Sequence, residues 1–394
     1  MTDATQAAAQ EALREAVADR RLVVCVGSGG VGKTTTAAAL GIQGAIAGRR
    51  VIVVTIDPAK RLANSLGLEA LGNDERRIDP ARFAEHGIEV KGTLHAMMLD
   101  TRATFDEVIR KVSPDAETRD RVLSNRIYTH ISDTLSASHD YMASEKLYDL
   151  YTSGKYDLIV LDTPPMKNAI DFLEAGGQLA RFLDEGIIRW FLAPQEKGVG
   201  RSLISGTGTV VYRLLGRVFG NEFLDEIAEF FLATKDLLAG FRERAESVSE
   251  LLRDPRTTKF AVVCTPRAMS MDEARYFHLQ LQERSMPGGL FIVNQAGRYA
   301  GFEPQHGREF LGPEDAAWIA ASAKLEGREA ASFVGRLEAH FERSVALDKD
   351  DQRAIEDLAA FAGRQARVCV VPRLTRDVYD LDGLLRIGRE LFGR

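Results

Sequence analysis

Cysteine is scarce. The chain of 394 residues holds three, Cys25, Cys264 and Cys369, each inside an apolar strand-like run and none in a C-x-x-C pair. This argues against a cysteine-held zinc or iron–sulfur centre within one chain. It reads instead as three small core residues in a reducing compartment, so a cytoplasmic location is expected. Long hydrophobic runs are lacking too. The best candidate, 187–193, contains Arg189 and falls far short of the roughly 18–20 apolar residues a membrane span needs. No integral membrane segment is expected. Positive charge is not in excess: the net balance of −6 gives no support for nucleic-acid binding through a global basic field. The polar, acidic opening M-T-D-A-T-Q-A-A-A-Q-E shows no secretory signal. What remains, 45% hydrophobic and 27% charged residues, suits a globular chain able to bury a large core.

Against that background one stretch stands out. Residues 27–36 read G-S-G-G-V-G-K-T-T-T, directly after the apolar run 22–26 and directly before an alanine-rich helix predicted over 33–47. This is the phosphate-binding pattern G-x-x-x-x-G-K-[ST] in its strand–loop–helix setting. Gly27, Gly29, Gly30 and Gly32 let the backbone turn with no Cβ in the way of phosphate oxygens. The N–H groups of Ser28, Val31 and the other loop residues, through Thr35, then face the ligand at the positive end of the helix. Lys33 supplies a point charge to the β- and γ-phosphates, and Thr34 offers its hydroxyl to Mg²⁺. The chain is expected to bind a nucleoside triphosphate.

Further strands are predicted at 51–56, 93–99, 156–161, 260–264, 290–293 and 368–371, with helices at 8–18, 104–112, 133–152 and 381–392. Strands alternating with helices predict an α/β, doubly wound, mostly parallel sheet. The expected organisation is a single P-loop ATPase domain over 1–394 with two helical insertions, 170–253 and the charged stretch 297–366.

Two predicted strands end in acids: 51–56 runs into Asp57-Pro58-Ala59, and 156–161 runs into Asp162-Thr163-Pro164-Pro165. Ligands of open α/β sheets bind at the carboxyl ends of strands, where the phosphate loop also lies. Phosphoryl transfer wants one carboxylate beside Mg²⁺ and one to orient the attacking water. Asp162, after an apolar strand, suits the first role and leaves Asp57 for the second. For either aspartate the alternative is a cap on the next helix.

The series G-G-V-G-K-T-T-T, T-I-D-P-A, L-D-T-P-P and I-V-N-Q resembles the anion-transporting (ArsA-type) ATPases, from about residue 20 to the C-terminus. That family includes the arsenite-pump ATPase and the eukaryotic ATPase that delivers tail-anchored membrane proteins. It belongs among the deviant-Walker dimeric P-loop NTPases. The resemblance implies that Asp57 lies in a first switch and polarises water, and that Asp162 opens a second switch beside Mg²⁺. It further implies that Asn294 reads the adenine edge and Pro372 closes the adenine pocket. Asn294-Gln295-Ala296-Gly297 is not the N-K-x-D that guanine recognition wants, so ATP is expected over GTP.

This chain also departs from the family. Where the family typically has a lysine that crosses a dimer, this chain has Ser28, and its first switch continues with Lys60-Arg61. Either Lys60 or Arg61 replaces the missing cation, or a partner supplies it, or both are solvated loop charges. The partner expected is a second copy or a paralogous ATPase.

The insertion 170–253 holds the most apolar helical patterns. Phe223, Ile227, Phe230, Thr234, Leu237 and Phe241 recur at alternating spacings of four and three, opposite Asp225, Glu226, Glu229 and Arg242. Either the helices pack on themselves or they form a groove for a hydrophobic client that follows the nucleotide state. The leading function is an ATP-hydrolysing dimeric switch for a hydrophobic protein or membrane-associated client. An arsenite-pump subunit is the alternative, disfavoured because it wants clustered thiolates. A weakly catalytic or non-catalytic ATP-binding scaffold partnering a paralogue is the other, and Ser28 keeps it open.

Overall fold

Apolar runs with no polar alternation can be buried on both faces only in the middle of a layered sheet, and they become one here. The computed structural model describes residues 3–56, 61–68, 70–113, 115–116, 119–120, 139–165, 169–170, 172–173, 240, 243–299, 301, 311–363 and 366–393. Its strands are β1 (Leu22–Gly27), β2 (Arg50–Thr55), β3 (Arg76–Arg77), β4 (Thr93–Met98), β5 (Leu158–Asp162), β6 (Thr258–Cys264), β7 (Leu290–Ala296) and β8 (Arg367–Pro372). They form one eight-stranded sheet in the order β3-β4-β2-β5-β1-β6-β7-β8. Every neighbouring pair is parallel except the short β3–β4 pair. The two-residue β3 carries Arg76 and Arg77 and has no apolar signal, which is why the sequence did not announce it.

The helices are α1 (Asp3–Asp19), α2 (Lys33–Ile46), α3 (Arg61–Ser65), α4 (Ala81–Ala84), α5 (Thr101–Val112), α6 (His139–Thr152), α7 (Ala268–Glu283), α8 (Pro313–Ser322), α9 (Gly327–Ala362) and α10 (Leu381–Phe392). They sort onto the two faces by strand alternation. Leu22, Val24 and Val26 of β1 point to one core with Ile109 of α5, Met142 of α6, Phe277 of α7 and Leu358 of α9. Val23 and Cys25 point to the other, with Leu13 of α1, Leu40 of α2 and Leu391 of α10. Each fully buried side chain of this size contributes about 1.5–3 kcal/mol, so the sheet is held from both sides.

The chain winds from β1 outward through β2 and β4, returns to insert β5, and then continues on the far side through β6, β7 and β8. The winding reverses at β1. The crevice beyond its carboxyl end is therefore where a doubly wound sheet binds its ligand.

The expected stretch 297–366 contains α8 and the 36-residue α9. The buried residues of α9, from Val345 to Ala362, lie in its C-terminal half, and α8 buries none. The apolar helices expected over 170–253 lie outside the described residues, apart from 170, 172–173, 240 and 243–253. No described helix is long and apolar enough to cross a membrane.

Candidate functional site

β1 delivers the loop to the switch point, and α2 opens immediately after it. Gly32 caps α2 at φ 94°, a left-handed backbone that an L side chain rarely adopts. A Cβ there would also collide with the Asn294 side-chain amide. At Gly27 the constraint is close approach, because a Cβ would run into the Val263 carbonyl of β6. The first turn of α2 carries no acidic residue, so its positive end is open toward an anion. Lys33 is buried, and its Nζ donates to the Ser28 carbonyl at 2.7 Å. Thr34 and Thr35 are half-buried beside it, while Gly29 and Gly30 are exposed.

Asp162 ends β5 and is fully buried. Its backbone pairs with Cys25 of β1 on one side and Thr55 of β2 on the other. The Thr55 hydroxyl donates to Asp162 Oδ2 at 2.9 Å, and Ile56 N donates to the Asp162 carbonyl at 3.0 Å. The next residue, Thr163, returns its own N–H and hydroxyl to the Cys25 carbonyl at 3.2 and 2.9 Å. The tip of β5 is thereby stitched to both neighbouring strands.

Cys25 of β1 stands opposite Asp162 in the β1–β5 register. Burial pushes its thiol well above the usual range, the Asp162 charge pushes the same way, and Lys33 pulls it back. A fully buried thiol so raised is not a nucleophile. All three cysteines are free and buried, as small core residues are.

Asn294 sits near the end of β7, where the pairing with β8 shifts register between Val293 and Ala296. Gln295 there takes a positive φ of 61°. The Asn294 side chain reaches the phosphate loop, where its Nδ2 donates to the Val31 carbonyl at 2.8 Å. Its Oδ1 accepts from Gln295 N at 2.9 Å. Pro372 pairs with Ala296 across β7 and β8, so Asn294 and Pro372 lie on adjacent strand ends.

Of the site residues expected from sequence, Gly27, Ser28, Gly29, Gly30, Val31, Gly32, Lys33, Thr34, Thr35, Asp162, Asn294 and Pro372 all lie at the carboxyl edge of the sheet or in the loop and first turn of α2 that leave it. Asp57 and Lys60 lie outside the described residues, and only the backbone of Arg61, at the start of α3, is described. Two contributors had escaped notice. Thr55 carries no signal beyond standing two residues before an acid. Glu273 of α7, which accepts a hydrogen bond from the Ser28 hydroxyl, carries none.

The donor set fits Mg²⁺. A threonine hydroxyl and a carboxylate are hard oxygen ligands, and Mg²⁺ bound with substrate phosphates wants only one or two such protein groups. Among the described residues no group of three His, Cys, Asp or Glu could hold a metal, so a dedicated all-protein cage is absent there.

A glycine-built loop at the switch point, a buried lysine on it and a braced carboxylate at the next strand end define a P-loop nucleoside triphosphatase. Residues 20–298 match the anion-transporting ATPase family, which ends its match just past β7. The chain belongs to that family and is an ATPase. It is similar to ATPase get3 of Aspergillus terreus, 24% identical over 278 residues that cover 70% of this chain and 73% of that protein. ATPase GET3 of Podospora anserina is 24% identical over 290 residues, 73% of this chain and 77% of its own. ATPase GET3C of Arabidopsis thaliana is 26% identical over 299 residues, 71% and 68% of the two chains.

Proposed function

We propose that this ATPase binds Mg·ATP on the 27–34 loop and works as a dimeric switch whose nucleotide state is coupled to a hydrophobic protein or membrane-associated client. The observation that carries the reading is a glycine loop leaving β1 with the buried Lys33 folded back on its Ser28 carbonyl, next to the buried Asp162 that ends the adjacent β5 in register with Cys25. Lys33 would leave the Ser28 carbonyl for the β- and γ-phosphates. The loop N–H groups and the first turn of α2 take the remaining phosphate oxygens. Thr34 and Asp162 would hold Mg²⁺, which offsets phosphate charge when bound. Asp57 orients the attacking water, and Asn294 with Pro372 meets the base.

The dimer follows from what the loop lacks. Stabilising the charge of a transferring phosphoryl group by a cationic finger is worth roughly 10³–10⁵ in rate, and Ser28 supplies none. Lys60, Arg61 or a paralogue's lysine is the proposed source. The client reading rests on the apolar faces of 170–253, whose chain follows directly on Asp162 and so feels any movement of the β5 tip.

The test separates binding from turnover. Lys33→Ala abolishes tight ATP binding, whereas Asp57→Asn keeps Mg·ATP binding and stops hydrolysis, since only the water's orientation is lost. Parental turnover by Asp57→Asn assigns the water to another residue. The Asp57→Asn protein, held in ATP, is then the bait that retains a client. Release of that client by ADP supports the switch, and retention regardless of nucleotide removes the coupling.

A further inference from the structure

We propose that Glu273 sets how strongly the phosphate loop discriminates between nucleoside triphosphate and diphosphate. The inference rests on the reading that the phosphates occupy the 27–34 loop. Ser28 is bound from two sides: its carbonyl accepts from Lys33 Nζ at 2.7 Å, and its hydroxyl donates to Glu273 Oε2. Glu273 reaches the loop because α7 starts right after β6, and β6 lies beside β1 with Val263 opposite Gly27. The sheet thus brings residues 245 apart in sequence into hydrogen-bond contact.

A carboxylate accepts hydrogen bonds and donates none, so Glu273 offers phosphate oxygens nothing. It adds a negative charge at the rim of a loop otherwise built to attract anions. Arg275, two residues further along α7, is committed elsewhere, since it pairs with Asp272 at 3.0 Å. Among the described residues no ammonium or guanidinium forms an ion pair with Glu273. Coulombic repulsion grows with the charge of the ligand, and a triphosphate carries one more negative charge than a diphosphate. Glu273 therefore penalises ATP more than ADP. It is a specificity residue whose charge acts on the phosphates through space, the tie to Ser28 serving only to hold the loop, and it takes no part in bond making.

The experiment titrates the full chain, with Mg²⁺, against ribose-labelled fluorescent ATP and ADP. Glu273→Gln keeps an acceptor for the Ser28 hydroxyl and removes the charge. The ratio of ATP to ADP affinity should rise by at least about fivefold. Glu273→Asp, which keeps the charge, should hold the parental ratio. Ser28→Ala removes the tie and leaves the carboxylate, so both nucleotides should shift together. A parental ratio in Glu273→Gln, or equal weakening of both nucleotides, overturns the proposal. So does a ratio changed as much by Ser28→Ala as by Glu273→Gln. Parental affinity for both ligands in Lys33→Ala would instead sink the underlying reading of the loop, whatever Glu273 does.

Discussion

The Thr55 hydroxyl of β2 donates to Oδ2 of the fully buried Asp162 of β5 at 2.9 Å, across adjacent parallel strands. A buried carboxylate that loses a hydrogen-bond donor bears a desolvation cost of about 1–3 kcal/mol. In the Mg²⁺ role proposed for Asp162, the brace holds the carboxylate through Oδ2. Thr55→Val keeps the side-chain shape and removes the donor. It should raise the Mg²⁺ concentration for half-maximal ATPase activity several-fold, by more than it raises the KM for ATP at saturating Mg²⁺. An unchanged Mg²⁺ dependence would show that Thr55 only supports the strand end.

Asn294 makes a prediction about the base. An amide pairs twice with the adenine edge, while guanine presents the opposite donor and acceptor pattern. ATP should bind at least about tenfold tighter than GTP, a gap of ~1.4 kcal/mol. Because Asn294 also holds the Val31 carbonyl, Asn294→Ala should weaken both nucleotides and narrow the gap between them. Calorimetry reads both quantities. Equal weakening with the gap preserved would leave Asn294 as a loop brace and move base recognition elsewhere.

Ser28 predicts an assembly. If a second copy completes the site, sedimentation should show an ATP-promoted dimer, and Lys60→Ala or Arg61→Ala should cut turnover at least about tenfold at little cost in ATP affinity. If a paralogue completes it, those changes do little, the chain alone is a poor ATPase, and adding the partner stimulates it. A strict monomer with ordinary turnover contradicts both forms.

A buried ionic cluster ties α6 to the segment 243–253. Glu145 Oε1 accepts from the Tyr141 hydroxyl, and Arg244 Nε lies 3.4 Å from Glu145 Oε2. Burial raises the Glu145 carboxyl from 4.5 to about 7, against the opposing pull of Tyr141 and Arg244. The folded protein therefore holds a proton between those values that the unfolded chain has released. Its stability contribution falls as pH rises from 4.5 to about 7 and stays low above that. Glu145→Gln should lie near the parent in urea midpoint at pH 5 and gain on it by pH 8, by no more than about 3 kcal/mol. A variant that loses ground as pH rises would mean that Glu145 is ionised and stabilised by Arg244.

The loop motif, the strand before it and the helix after it were all legible in the chain, because each is a local pattern. Glycines that open a turn, a lysine at fixed spacing and a continuous apolar run need no distant partner to be read. The parallel sheet was legible for the same reason, since unbroken apolar strands such as Leu22–Gly27 can only be buried on both faces. Strand order was not. Nothing local places β5 between β2 and β1, yet that insertion alone sets Asp162 beside Thr55 and Cys25. Likewise Ser28 reads in sequence only as an absent lysine. Tertiary structure decided what it meets, because β6 and α7 carry Glu273 to it across the sheet. The sequence by itself determined the chemistry available at the loop; the fold decided which charges stand around it, since electrostatic neighbours depend on distance through space and not along the chain.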